Sequence, residues 1–115
     1  MEDVRREDTN WEYRSHLVYA YQKMIYARTQ LEVALKAPHR RVNTIVKREF
    51  YIAFKNFYGL VFPHLVYNKH KELITAIDAW DKNVSVGIVA DGLENGIALS
   101  IQLQRAVASD GILGK

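Results

Sequence analysis

The sequence predicts an all-α protein, a four-helix antiparallel up-down bundle, and three observations carry that prediction. The 115 residues are 49% hydrophobic and 25% charged with only two prolines and six glycines, the composition of an ordinary globular domain. Apolar residues recur at three- and four-residue steps over most of the chain. The helix-breaking residues are few and widely spaced, which leaves connections too short for a crossover and makes successive helices antiparallel neighbours. A chain of this length buries roughly two-thirds of its unfolded surface. It therefore needs no crosslink, and the absence of cysteine removes disulfides and thiolate ligands together.

The elements follow in order. Residues 1–8 are expected to form a mobile leader, with residues 9–115 a single bundle domain. Thr9 and Glu12 have capping-box spacing, so the first helix is expected from Thr9 to about Lys36. Pro38 suits a first helical turn and Gly59 suits a left-handed stop, which puts the second helix between them, ending at Tyr58. Pro63 is expected to open a third helix ending near Lys82 and Asn83. Ser85 could cap a fourth, closed before Asp110-Gly111. That last stretch has a competitor, because Ile97 to Gln104 alternates apolar with polar and Asp91-Gly92 and Asn95-Gly96 are turn dipeptides. A hairpin over about 84–104 is therefore the alternative. Helical steps nonetheless place Val86, Val89, Leu93, Ile97, Ile101, Leu103 and Val107 together and leave only Gln104 out of place, which favours the helix.

Several function classes are excluded at this stage. Met1 to Arg14 holds five acids and three bases before any apolar run, unlike an export signal, and no run of apolar residues is long enough to span a bilayer. The reading is a cytoplasmic protein without a membrane partner, and the sequon-like Asn83-Val84-Ser85 is read as chance. None of the seven glutamates has a histidine three residues later, so the di-iron pattern of helical bundles is missing. His16, His39, His64 and His70 lack ligand spacing, and Gly87, Gly92 and Gly96 lack the spacing and lysine of a phosphate loop. No catalytic residue, metal site or cofactor is expected. The acid pairs Asp78 with Asp81 and Asp91 with Glu94 read as solvated helix faces.

Three residue groups break the bland pattern. The seam of the first helix, Leu17, Tyr21, Met24, Arg28, Leu31 and Leu35, contains an arginine. The second helix's arc of Val42, Ile45, Val46, Phe50, Ala53, Phe57 and Leu60 includes Glu49, and a third arc of Val66, Leu73, Ile77 and Trp80 includes His70. Folding about the predicted turns brings Arg28, Glu49 and His70 to one level, which predicts a buried polar layer, with Ser100 or Gln104 as further members. The layer is read first as setting helix register and second as a small-ligand site.

Charge supplies the second group. Between His39 and Tyr58 five cations, Arg40, Arg41, Lys47, Arg48 and Lys55, face Glu49 alone, in a chain whose net charge is only +3. Arg41, Thr44, Arg48, Tyr51, Lys55 and Tyr58 form one helical stripe, the footprint of a contact with nucleic acid or with an acidic protein. The third group is Tyr19, Tyr26 and Val33, spaced by seven on the polar side of the first helix, which suggests a self-association face and a homo-oligomer. Gly92, Gly96 and Ser100 form a small-residue row that admits a close helix, within the bundle or from another subunit. The expected function is a non-enzymatic helical interaction module that self-associates and offers its basic helix to an acidic partner. The alternatives are direct DNA or RNA binding through that helix, or a ligand site at Arg28, Glu49 and His70.

Overall fold

A computed structural model describes residues 2–36, 40–85 and 90–113, with side-chain surroundings for 12–36, 44–84 and 95–113. It contains four helices, α1 (Glu2–Leu35), α2 (Arg40–Tyr67), α3 (Lys71–Ser85) and α4 (Ala90–Asp110), and no strand among the described residues. Tyr13 of α1 meets Leu60 and His64 of α2, Tyr51 and Tyr58 of α2 meet Asp81 and Asp78 of α3, and Asp110 of α4 meets His70 at the start of α3. Each helix thus runs against the one before it, the up-down arrangement the sequence predicts. The hairpin alternative is overturned because α4 covers most of it as continuous helix, and Gly96 packs against Trp80 inside the bundle.

Three predicted boundaries are wrong for identifiable reasons: the start of the first helix, the end of the second and the start of the third. α1 starts at Glu2, with Thr9 inside it: no glycine or proline occurs before Pro38, and Glu2 and Asp3 suit the positive end of a helix dipole. α2 does not stop at Tyr58; it runs through Gly59 and Pro63 to Tyr67. An interior proline costs about 3 kcal/mol, but Val61 and Leu65 continue the apolar arc of Phe57, and each fully buried aliphatic side chain contributes roughly 1.5–3 kcal/mol. The second effect wins. Pro63 has no N–H for the Gly59 carbonyl, and Gly59 is exposed to solvent; the next carbonyl, Leu60, accepts the Tyr13 hydroxyl at 2.8 Å.

The break between α2 and α3 comes instead at 68–70, where neither glycine nor proline stands. Lys69 takes φ 61°, its N–H donates to Val66 O, and the His70 N–H donates to Leu65 O, a Schellman closure with lysine in the left-handed position. Gly111 closes α4 in the same way at φ 69°, with Ile112 N–H donating to Val107 O, as Asp110-Gly111 predicts. The two ends are tied together, since Asn68 Nδ2 donates to Asp110 Oδ2 at 3.0 Å and His70 Nε2 lies 2.8 Å from the same oxygen. The expected turn at Ala37 and Pro38, with His39, Val86, Gly87 and Val89, lies outside the described residues.

The core lies where the α3–α4 pair packs onto the inner side of α1 and α2. Leu17, Met24 and Leu31 of α1 are fully buried, as their seam predicts, and meet Phe50, Phe54, Phe57, Val61 and Leu65 of α2. Trp80 closes the middle, its ring centroid 5.2 Å from Phe54 and 5.9 Å from Tyr51. Gly96 makes that closure possible: a Cβ there would sit 2.5 Å from the Trp80 ring and 3.1 Å from Phe50. Ser100 is fully buried one turn further on, so these two members of the small-residue row serve packing within the chain. The surroundings of Gly92 lie outside the description. No helix is long and apolar enough, among the described residues, to cross a membrane.

Candidate interaction surfaces

The predicted polar layer keeps Arg28 and the further members Ser100 and Gln104, and loses Glu49 and His70. Arg28 turns inward from the α1 seam and donates to Gln104 Oε1 at 2.8 Å and to Ser100 Oγ at 3.2 Å, while Ser100 donates to Ile97 O. The one charge out of place in α1 thus meets the one polar residue out of place in α4. Glu49 and His70 are not part of this layer. Glu49 lies near the level of Arg28, but helix rotation points it outward, where it is exposed. His70 was expected inside a third helix beginning at Pro63; with the true turn at 68–70 it lies at the end of the bundle beside Asp110. The three residues proposed as a ligand site therefore stand in three separate places. Among the described residues no three His, Asp or Glu side chains gather as a metal site would require.

The basic stripe of α2 divides in two. Its later part is covered by α3: the Tyr51 hydroxyl donates to Asp81 Oδ1 at 2.6 Å, Lys55 Nζ pairs with Asp81 Oδ2 at 2.5 Å, and the Tyr58 hydroxyl donates to Asp78 Oδ1 at 3.0 Å. Tyr58 is buried, so this half of the stripe does not face outward as predicted. The acid pair read as solvated is what covers it. Asp78 and Asp81 are spaced to lie on one face of α3, and the stripe's side chains reach them from across the helix pair. Burial tends to raise the Asp81 carboxyl, but the hydrogen bonds from Lys55 and Tyr51 and the Lys55 charge outweigh it and hold the group below the ordinary carboxylate range. The same bond to Asp81, with desolvation and the nearby negative charge, pushes Tyr51 up to about 12. Tyr58 is raised as well, first by burial and then by its bond to Asp78 and the charges of both aspartates.

The earlier half of the stripe is described at Thr44, Lys47 and Arg48. Arg48 is exposed and Lys47 half-buried. Arg40 and Arg41 begin α2, and their side chains lie outside the description, as does that of Val42.

The self-association residues are strongly exposed. Tyr19 is 62%, Tyr26 64% and Val33 60% exposed. They have counterparts on α2 that sequence reasoning missed: Ile45, assigned to the core arc, is 64% exposed, and Ile52 is 47% exposed. The missed signal was the same spacing of seven, since Ile45, Ile52, Gly59 and Val66 repeat on α2 what Tyr19, Tyr26 and Val33 do on α1. Val66, placed on a third helix by the sequence reading, ends this row on α2 and is exposed. Between the rows runs a groove of ≈ 310 Å³ with Ala20, Ala27 and Ala53 in its floor and Tyr19, Tyr26, Val46 and Ile52 along its sides. Among the described residues, Lys23 and Glu49 are the charged groups lining it, one from each helix, and none of its lining comes from α3 or α4.

Three comparisons with known proteins add no relative: no protein-family model, no curated protein and no solved structure matches the chain.

Proposed function

We propose that this protein is a non-enzymatic helical interaction module that works by self-association, two copies joining through the outer face of α1 and α2. The observation that carries this reading is the pair of exposed apolar rows at seven-residue spacing flanking an alanine-floored groove. Small residues in the floor leave room for side chains of the second copy to lean into the groove between α1 and α2, and the rows supply apolar surface to bury. Sedimentation equilibrium tests it. Wild type is expected to be dimeric at micromolar concentration, and a variant carrying Tyr26→Glu with Ile52→Glu is expected to be a folded monomer. A wild type that remains monomeric at millimolar concentration would falsify the reading.

Exposed Arg48 and half-buried Lys47 support a second contact, with an acidic protein surface. Arg48 and Lys47 extend a stripe whose other half already takes two aspartates, so carboxylates are the chemistry that this side of α2 fits. Nucleic acid is the competing partner, and it predicts affinity that rises with polyanion length and falls steeply with salt. Anisotropy titration with an acidic peptide and with DNA and RNA oligonucleotides across a salt series separates the two. Arg41→Glu with Arg48→Glu is the folded control that should abolish either.

A further inference from the structure

The two exposed rows are centred on one level of the molecule, and this sets how two copies fit. Tyr21 of α1 packs on Phe57 of α2 with ring centroids 5.5 Å apart. Five residues onward in α1 and five back in α2 place Tyr26 beside Ile52. Each row extends seven residues to either side of that level, to Tyr19 and Val33 on α1 and to Ile45 and Gly59 on α2. Lys23 lies three residues before Tyr26, and Glu49 three before Ile52. Because the helices are antiparallel, the cation and the anion are displaced by equal amounts in opposite directions.

Resting on the self-association reading, we infer that the dimer is isologous, with a twofold axis lying in the face and crossing both helices at Tyr26 and Ile52. α1 then lies antiparallel on the partner's α1, and α2 on the partner's α2. The axis sets Tyr26 and Ile52 each against its own copy. It turns Tyr19 toward the partner's Val33 and Ile45 toward the partner's Gly59, so that large side chains meet small ones. Lys23 comes to the level of the partner's Glu49, and both line the groove that they share. The pairing therefore satisfies charge twice over, once on each side of the axis. The five exposed apolar side chains present on the order of 500 Å², and with the polar rim this approaches the roughly 800 Å² that each partner of a standard interface buries.

The chain has no cysteine, so single-cysteine variants report the arrangement directly. Ile52→Cys and Tyr26→Cys are each expected to form a disulfide-linked dimer under mild oxidation. Val33→Cys is not, because its symmetry mate lies fourteen residues away along the helix, about 21 Å. A mixture of Tyr19→Cys and Val33→Cys chains should link to each other. Lys23→Glu should weaken the dimer about tenfold, and adding Glu49→Lys in the same chain should restore it to within about threefold of wild type. Circular dichroism confirms that each variant is folded. Dimers in which Tyr26→Cys links to Ile52→Cys and neither links to itself overturn this arrangement while leaving self-association intact. So does a Lys23→Glu loss that Glu49→Lys does not repair. A monomeric wild type removes both readings together.

Discussion

The inner and outer sides of the α1–α2 hairpin are built from similar residue types and have opposite fates. On the inner side Met24, Leu31, Phe50, Phe54 and Phe57 are fully buried; on the outer side Tyr19, Tyr26, Val33, Ile45 and Ile52 remain in solvent. Residue chemistry does not distinguish them, since aromatic and aliphatic groups occur on both. What differs is the company each side keeps. α3 and α4 bring Trp80, Leu103 and Val107 to the inner side, and they bring polar matches as well: two aspartates for Lys55 and two tyrosines, and Ser100 with Gln104 for Arg28. The outer side has a groove that none of the described residues fills. A helix pair of this kind is two-sided, and its fold uses one side.

The sharpest way to break the comparison is to damage the inner side. Trp80→Ala removes a large buried ring from the centre of the contact and should destabilise the protein by about 3–5 kcal/mol in urea denaturation. Gly96→Ala acts on the same contact from the opposite helix. Its new methyl group would overlap the rigid indole, so a loss of about 1–3 kcal/mol is expected in spite of alanine's better helix propensity. A Gly96→Ala protein as stable as wild type would show that the ring moves aside freely.

A smaller effect is expected from the seam between α2 and α3. Asp81→Ala leaves Tyr51 and Lys55 without their partner and should cost about 1 kcal/mol once partial exposure of the pair is allowed for. The pH dependence has a worked sign. Tyr51 is raised from 10.0 to about 12 in the folded protein, so its contribution is complete below pH 10 and is lost as pH climbs from there through about 12. Asp81 is depressed, so its contribution is present above the ordinary carboxylate range and is lost as pH falls through and below it. Tyr51→Phe should flatten the alkaline part of the stability curve. An alkaline limb unchanged by that substitution would refute the assignment.

The smallest effect on the fold is expected from the outer side, which sharpens the contrast. Tyr26→Ser and Ile52→Ser should change the stability of the dilute monomer by no more than about 0.5 kcal/mol. At high protein concentration they should lower the melting temperature relative to wild type, because association stabilises the native state by mass action. A large loss in the dilute variants would mean that these side chains already pack within the chain.

Much of the architecture was legible from residue order. Helical periodicity is local, fixed by the geometry of 3.6 residues per turn, so the seam of Leu17, Met24 and Leu31, the helical character of 90–110 and the stop at Gly111 could all be read without a structure. The self-association candidates Tyr19, Tyr26 and Val33 were legible for the same reason, being apolar groups on a polar helix side. The boundaries of the second and third helices were not. Gly59 and Pro63 are local stop signals, and they were overruled by burial of Val61 and Leu65 against other helices, a term that exists only once those helices are in place.

Tertiary structure also decided which of the candidate polar residues meet. Arg28 could be recognised as a charge in an apolar seam, yet its partners lie more than seventy residues away, and the choice of Gln104 and Ser100 over Glu49 depends on the rotation of α2 about its own axis. Periodicity defines the faces of a helix relative to one another and leaves that rotation free. The same freedom placed Ile45 outside and Tyr58 inside, and set Asp78 and Asp81 against the stripe whose residue pattern predicts an acidic partner. The sequence by itself determined that there would be four amphipathic helices and where most of their apolar stripes run. Packing decided which stripe each helix buries, because burial is a property of pairs of surfaces and a sequence lists only one of them at a time.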